Sequence, residues 1–156
     1  MPVAWMLSTN GQQETITYFL RQVRKANPSV IPANFMSDKD RPQMTSVRIV
    51  YWESFLLLCW WHVLHAWQQH FVISHHPELW MLLKEWIRIT DEDTFNQQWE
   101  SIKHCAPASV IDYLEKEWLN DRDLWSAIAR KDRSILELGD TNMLVEAYVH
   151  VSSGCK

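Results

Sequence analysis

The chain has 156 residues, 47% apolar and 22% charged, with three Gly and six Pro; this is globular usage and excludes collagen-like, low-complexity and disordered classes. Its formal charge is −4, so a whole-chain basic footprint for nucleic acid is absent. Residues 1–78 carry 6 Lys/Arg against 5 Asp/Glu and residues 79–156 carry 9 against 14, so any DNA contact would have to be local, with the first half the better place for it.

Residues 2–7 (PVAWML) predict a short strand, and Ser8-Thr9-Asn10-Gly11 a turn. Ile16, Phe19, Leu20 and Val23 then recur at i, i+3, i+4, i+7, the spacing of an amphipathic helix. Asn27-Pro28 ends it, because the residue before Pro avoids the helical region. Asn34 to Ser37 predicts a second short strand with Asp38 at its C-terminal end. Residues 41–51 predict a helix with Pro42 in its first turn, where its missing N–H costs nothing. Ser54 to Cys59 is a continuous apolar run, as in a strand covered on both faces. Val63, Leu64, Trp67 and Phe71 mark the next helix.

From His75 onward the pattern is helical. Leu79, Leu82, Leu83, Trp86 and Ile87 make one stripe, Phe95, Trp99 and Ile102 a second, Val110, Ile111, Leu114 and Trp118 a third. Gly139 breaks the chain, and Asp140 or Thr141 caps a last helix from Asn142 to about Val151. The order strand, helix, strand, helix, strand, helix predicts a parallel α/β sheet, followed by a helical block. The longest apolar run, Phe55 to Trp61, is far short of the ~20 residues of a membrane span. There is no basic, signal-like N-terminus, and Cys59, Cys105 and Cys155 are odd in number and widely spaced. A soluble intracellular domain in a reducing compartment is expected.

Several residue groups are candidates for chemistry. Asp38 lies where open α/β sheets place their ligands, though with Asp40 it also reads as a polar turn and helix cap. Asn142 and Glu146 share a face of the last helix at i, i+4. Cys59, His62 and His65 form C-x-x-H-x-x-H, which reads as a zinc site or as structural hydrogen bonding; no second ligand pair closes a zinc signature. Arg21, Arg24 and Lys25 cluster on the first helix, and Arg130, Lys131 and Arg133 cluster before the last; each group reads as a phosphate contact or as a solvated face. Most of the ten Trp fall on helical stripes and read as core. Walker A, GxGxxG, GxSxG and HExxH motifs are all absent.

Taken in order, F-M-S-D-K-D (35–40), L-L-L-C-W-W-H-V (56–63) and D-T-N-M-L-V-E-A (140–147) resemble the catalytic core of the Mutator-like element transposases, fungal copies most closely. The resemblance runs from about residue 2 to residue 151. It implies a partial RNase H-like α/β fold over residues 1–72, an all-helical insertion over 73–138 and a Glu-bearing helix over 139–153. It implies Asp38 and Glu146 as catalytic, metal-binding carboxylates and Cys59, His62 and Asn142 as structural motif residues; the basic spacing of Arg21, Arg24 and Lys25 makes them the DNA-contact candidates. The implied chemistry is DNA cleavage and strand transfer with two Mg²⁺ ions, whose preference for hard oxygens suits an Asp-Asp-Glu set.

The implied partners are DNA and other transposase subunits, without a membrane, and the implied location is the nucleus. In the family the first Asp sits on the first strand of the fold; no Asp precedes Asp38 in this sequence, and Glu14 falls in the wrong element. The isolated chain is therefore expected to be inactive. Two other readings stay open: a non-catalytic DNA-binding or transposase-interacting regulator, and a zinc-stabilised structural protein.

Overall fold

The structure is a computed structural model, and it describes Ala4 and residues 6–130. It is mixed α/β, mostly helical, with a short parallel sheet of two strands. The chain forms two compact units, which divide between Leu57 and Leu58.

The first unit holds α1 (Gln13–Ala26), β1 (Asn34–Ser37), α2 (Arg41–Val50) and most of β2 (Phe55–Leu58). Parallel strands need a crossover, and α2 supplies it. Asp40 starts α2 by accepting the Gln43 N–H on Oδ1 at 2.8 Å, with Pro42 in the first turn. Phe55 N–H donates to the Ala33 carbonyl at 2.9 Å and Ser54 Oγ to the Pro32 carbonyl at 2.5 Å, which sets the register of β2 against the entry to β1.

The helices α1 and α2 meet along a small polar seam. Thr17 Oγ1 donates to Ser46 Oγ at 2.9 Å, and Ser46 Oγ reaches the Pro42 carbonyl at 2.7 Å and the Gln13 carbonyl at 3.0 Å. Both side chains are buried, and each hydroxyl has a partner, as buried polar groups require. Met44, Val47 and Val50 bury the apolar face of α2. Leu56, Leu57 and Leu58 are all buried, in keeping with the continuous apolar run of a parallel strand.

Two expectations for this unit need correction. Ala4, Met6 and Leu7, inside the expected first strand at residues 2–7, are not in a strand, and Leu7 is fully exposed. A strand exists only by pairing with a neighbour, which alternation along the chain does not reveal. The stripe Ile16, Phe19, Leu20 and Val23 is only half-buried, and Thr17 is the fully buried residue of α1. Two strands are too narrow to cover that stripe. Two adjoining hollows of about 400 and 360 Å3 lie against Phe19, Leu20 and Phe35 instead.

The second unit holds α3 (Trp60–Gln68), α4 (Pro77–Trp86), α5 (Glu92–Cys105), α6 (Ala108–Glu117), a 3₁₀ turn (Leu119–Asp121), the single turn α7 (Arg122–Trp125) and a 3₁₀ turn (Ala127–Arg130). The expected stripes are its core: Leu79, Leu83, Trp86, Ile87, Phe95, Ile102, Val110, Leu114 and Trp118 are buried. The indoles meet at the centre. Trp86 stacks on Trp99 with centroids 5.1 Å apart and on Phe95 at 4.9 Å, while Trp125 stands edge-on to Trp67 and Trp86, each at 5.0 Å.

Two buried indole N–H groups find backbone acceptors: Trp86 Nε1 donates to the Phe95 carbonyl at 3.2 Å and Trp125 Nε1 to the Trp118 carbonyl at 2.9 Å. Asp91 caps α5 on the Thr94 N–H at 2.8 Å. Among the described residues no helix is long and apolar enough to cross a membrane. The expected helix from Asn142 lies outside the described residues. Trp86→Ala should destabilise the second unit by about 3–5 kcal/mol, the usual cost of deleting a buried aromatic, read from the urea midpoint at constant slope.

Candidate functional site

Asp38 follows directly on β1, at the carboxyl end of a parallel strand. Its side chain is half-buried. Ser37, buried beside it, donates Oγ to the Asp38 carbonyl at 2.8 Å, lies 3.5 Å from Asp38 Oδ1 and also contacts the Gln43 side-chain amide. This hydroxyl and the start of α2 fix where the Asp38 backbone stops. The two acids of D-K-D therefore differ in role. Asp40 is a helix cap, and Asp38 is a carboxylate at the strand end that caps nothing.

Cys59 and His62 sit at the junction of β2 and α3. Cys59 is fully buried, and its carbonyl accepts the Val63 N–H at 3.0 Å as α3 begins. His62 is half-buried and stands edge-on to Trp61 with centroids 4.9 Å apart. His65 lies flat on Trp61 at 5.0 Å, and its Nδ1 is 2.7 Å from Gln68 Nε2. Thus His65 is engaged along its own helix. Among the described residues no group of three or more His, Cys, Asp or Glu could hold a metal ion, so Cys59, His62 and His65 do not assemble as a zinc site there.

The same test applies to magnesium. A two-ion site needs several converging carboxylates. Of the expected pair, Asp38 is described, while Glu146, with Asn142, lies outside the described residues. The described residues alone do not make a divalent-cation site, and no catalytic step is derived through one.

The basic residues of α1 separate. Arg24 donates Nη2 to Glu53 Oε1 at 2.5 Å and Nη1 to Glu53 Oε2 at 3.1 Å, bonds the Val50 carbonyl and lies 5.4 Å from the centre of the Tyr51 ring. It closes the C-terminal end of α2, where orphan carbonyls favour a cation. Arg21 and Lys25 remain exposed. The hydrogen bonds that Arg24 donates to Glu53 hold the Glu53 carboxyl below the usual glutamate range and raise the Arg24 guanidinium.

The basic group at Arg130 also changes meaning. Arg130 is buried, bonds the Leu58 carbonyl and lies 4.6 Å from the centre of the Trp60 ring; Lys131 and Arg133 lie outside the described residues. Trp60 Nε1 in turn donates to the Trp125 carbonyl at 2.7 Å. Arg130 thereby ties the end of the helical unit to the start of α3. A further pair of cations, Lys84 in α4 and Arg88 two residues past its end, follows Trp80 at a spacing of four, the one sign of it in the sequence.

Two predictions separate structural acids from the candidate one. Asp40→Ala should cost about 1 kcal/mol through the lost cap, while Asp38→Asn leaves the urea midpoint nearly unchanged. For Glu53 the depressed folded pKa gives a stabilisation present above the unfolded pKa and lost as pH falls through the folded one. Glu53→Gln should remove that part of the acid dependence in a pH series of thermal melts, leaving a flatter curve below the ordinary glutamate range.

In comparisons with known proteins, no family model, no curated protein and no solved structure matches this chain.

Proposed function

We propose that the chain is a partial catalytic core of a DNA transposase of the Mutator-like, RNase H-like lineage. Asp38 is its retained metal-binding carboxylate, and the chain is inactive by itself. The observation that carries this reading is Asp38 at the carboxyl end of β1 within a parallel β1-α2-β2 unit, the position where α/β sheets present ligands. Two further features support it. β2 runs straight into C-x-x-H and then into a helical unit, the order that the resemblance implies. The half-covered stripe of α1 beside the hollows at Phe19 and Phe35 suits a sheet with fewer strands than its helices can cover.

Magnesium, when bound in such a core, activates the attacking oxygen and neutralises the leaving one. This chain's share is to hold one carboxylate at a fixed strand end, with Ser37 and the capped start of α2 setting its backbone. A single carboxylate leaves a two-ion site incomplete. Glu146 would add a second, and no Asp upstream of Asp38 is present to add a third.

The test is plasmid nicking by the purified chain in Mg²⁺ or Mn²⁺, beside a form extended by any open reading frame upstream of Met1. The chain alone should leave supercoiled plasmid intact. An extended form bearing an upstream Asp should nick it, with at least a ~100-fold loss in Asp38→Ala, in line with the several kcal/mol that metal-assisted catalysis supplies. An extended form with full activity in Asp38→Ala would sink the reading.

A further inference from the structure

The helical unit is acidic, with 11 Asp/Glu against 6 Lys/Arg over residues 58–130. In such a unit a cation normally finds a carboxylate. Lys103 pairs with Glu100 at 2.6 Å, Lys116 with Asp112 at 3.6 Å and Arg122 with Glu92 at 2.5 Å. Arg130 is buried against the Leu58 carbonyl and Trp60. Neither Lys84 nor Arg88 forms an ion pair among the described residues.

They sit one turn apart at the C-terminal end of α4, each braced on an indole. Lys84 Nζ is 5.7 Å from the centre of the Trp80 ring, and the Arg88 guanidinium is 5.6 Å from that of Trp60. Arg88 spends one N–H on the Lys84 carbonyl at 2.5 Å, which leaves four of its five donors. Among the described residues, the carboxylate lining the same hollow is Glu85, whose Oε2 is 3.4 Å from Gln98 Nε2 on α5. The hollow itself, about 510 Å3 and lined by Met81, Lys84, Glu85, Arg88 and Ile89, is open to solvent.

We propose that Lys84 and Arg88 form a contact site for a phosphodiester backbone on the open face of α4. Phosphate matches the guanidinium fork, and the indoles hold both cations in place at little entropic cost. An open hollow suits a polymer lying across it better than a small molecule, which needs enclosure. The polymer's identity as DNA rests on the transposase reading. The site moves the local DNA contact from the first half of the chain to α4, within an acidic surround that confines it.

The test is fluorescence anisotropy with a labelled DNA duplex and the full chain, across about 50 to 200 mM salt. The double variant Lys84→Glu/Arg88→Glu should bind at least tenfold more weakly, with a salt slope smaller by about two, one for each lost phosphate contact. Lys103→Glu/Lys116→Glu, which carries the same charge change, should leave the slope unaltered. The neutral Lys84→Gln/Arg88→Gln should lose affinity in the same direction. A purely structural role at the helix end would shift melting temperature and leave the slope alone.

Equal binding by wild type and Lys84→Glu/Arg88→Glu overturns the site and leaves the transposase reading standing. No binding at the lowest salt also overturns the site, with the nicking assay still deciding that reading. Competition by polyglutamate as effective as by unlabelled DNA overturns the choice of phosphodiester.

Discussion

The ring of Trp125 touches Trp67, Trp86 and Phe95, its indole N–H holds the Trp118 carbonyl and its own carbonyl receives the Trp60 indole. One residue thereby joins α3, α4, α5 and the end of α6. The helices around it are short: α4 and α6 have ten residues each and α3 nine. Helices of that length are marginal in water, so their stability comes from packing. The unit also carries a large acidic excess, which opposes compaction. Aromatic burial offsets both, because each indole removes a large apolar area from water, and the N–H groups of Trp60, Trp86 and Trp125 still find backbone acceptors.

Arg130 extends the same arrangement. Its guanidinium lies over Trp60, and its hydrogen bond to the Leu58 carbonyl anchors the last turn of β2. The C-x-x-H segment begins one residue later, with Cys59 wholly buried. A buried thiol with its backbone carbonyl in the first turn of α3 is a packing element. The histidines one and two turns on lie against Trp61, one edge-on and one flat. The motif thus reads physically as an aromatic and backbone clamp at the strand-to-helix junction.

The first unit works by different means. Its two helices approach through Thr17 and Ser46, whose small hydroxylated side chains allow close contact without leaving unsatisfied groups. Arg24 and Asp40 close opposite ends of α2. These devices fix the β1-α2 corner, and with it the backbone of Asp38. Cations follow the same division of labour: Arg24 and Arg130 are committed to structure, whereas Lys84 and Arg88 form no ion pair with a described carboxylate. Charge counting along the chain put a DNA contact in the first half. The pairing of each cation is a separate matter, because the net charge of a segment does not say which of its cations are already paired.

Much of this protein was legible in the sequence. Helical stripes at 3.6-residue spacing located α1, α4, α5 and α6, since periodicity is set by local backbone geometry. The apolar run before Cys59 marked β2, and the Asn34–Ser37 segment marked β1 with Asp38 at its end. The expectation of a third strand at residues 2–7 failed for Ala4, Met6 and Leu7, because pairing is a non-local event that a short apolar run does not reveal. The burial of Thr17 over Phe19 and Leu20 was decided by which face α2 covers. The roles of Asp38 and Asp40 parted only when the N–H of Gln43 chose one carboxylate. Likewise the fate of each arginine depended on what the folded chain brought within hydrogen-bond reach: Glu53 for Arg24, the Leu58 carbonyl for Arg130 and the Lys84 carbonyl for Arg88. Local order follows from spacing along the chain; partnership between distant groups is settled by tertiary packing alone.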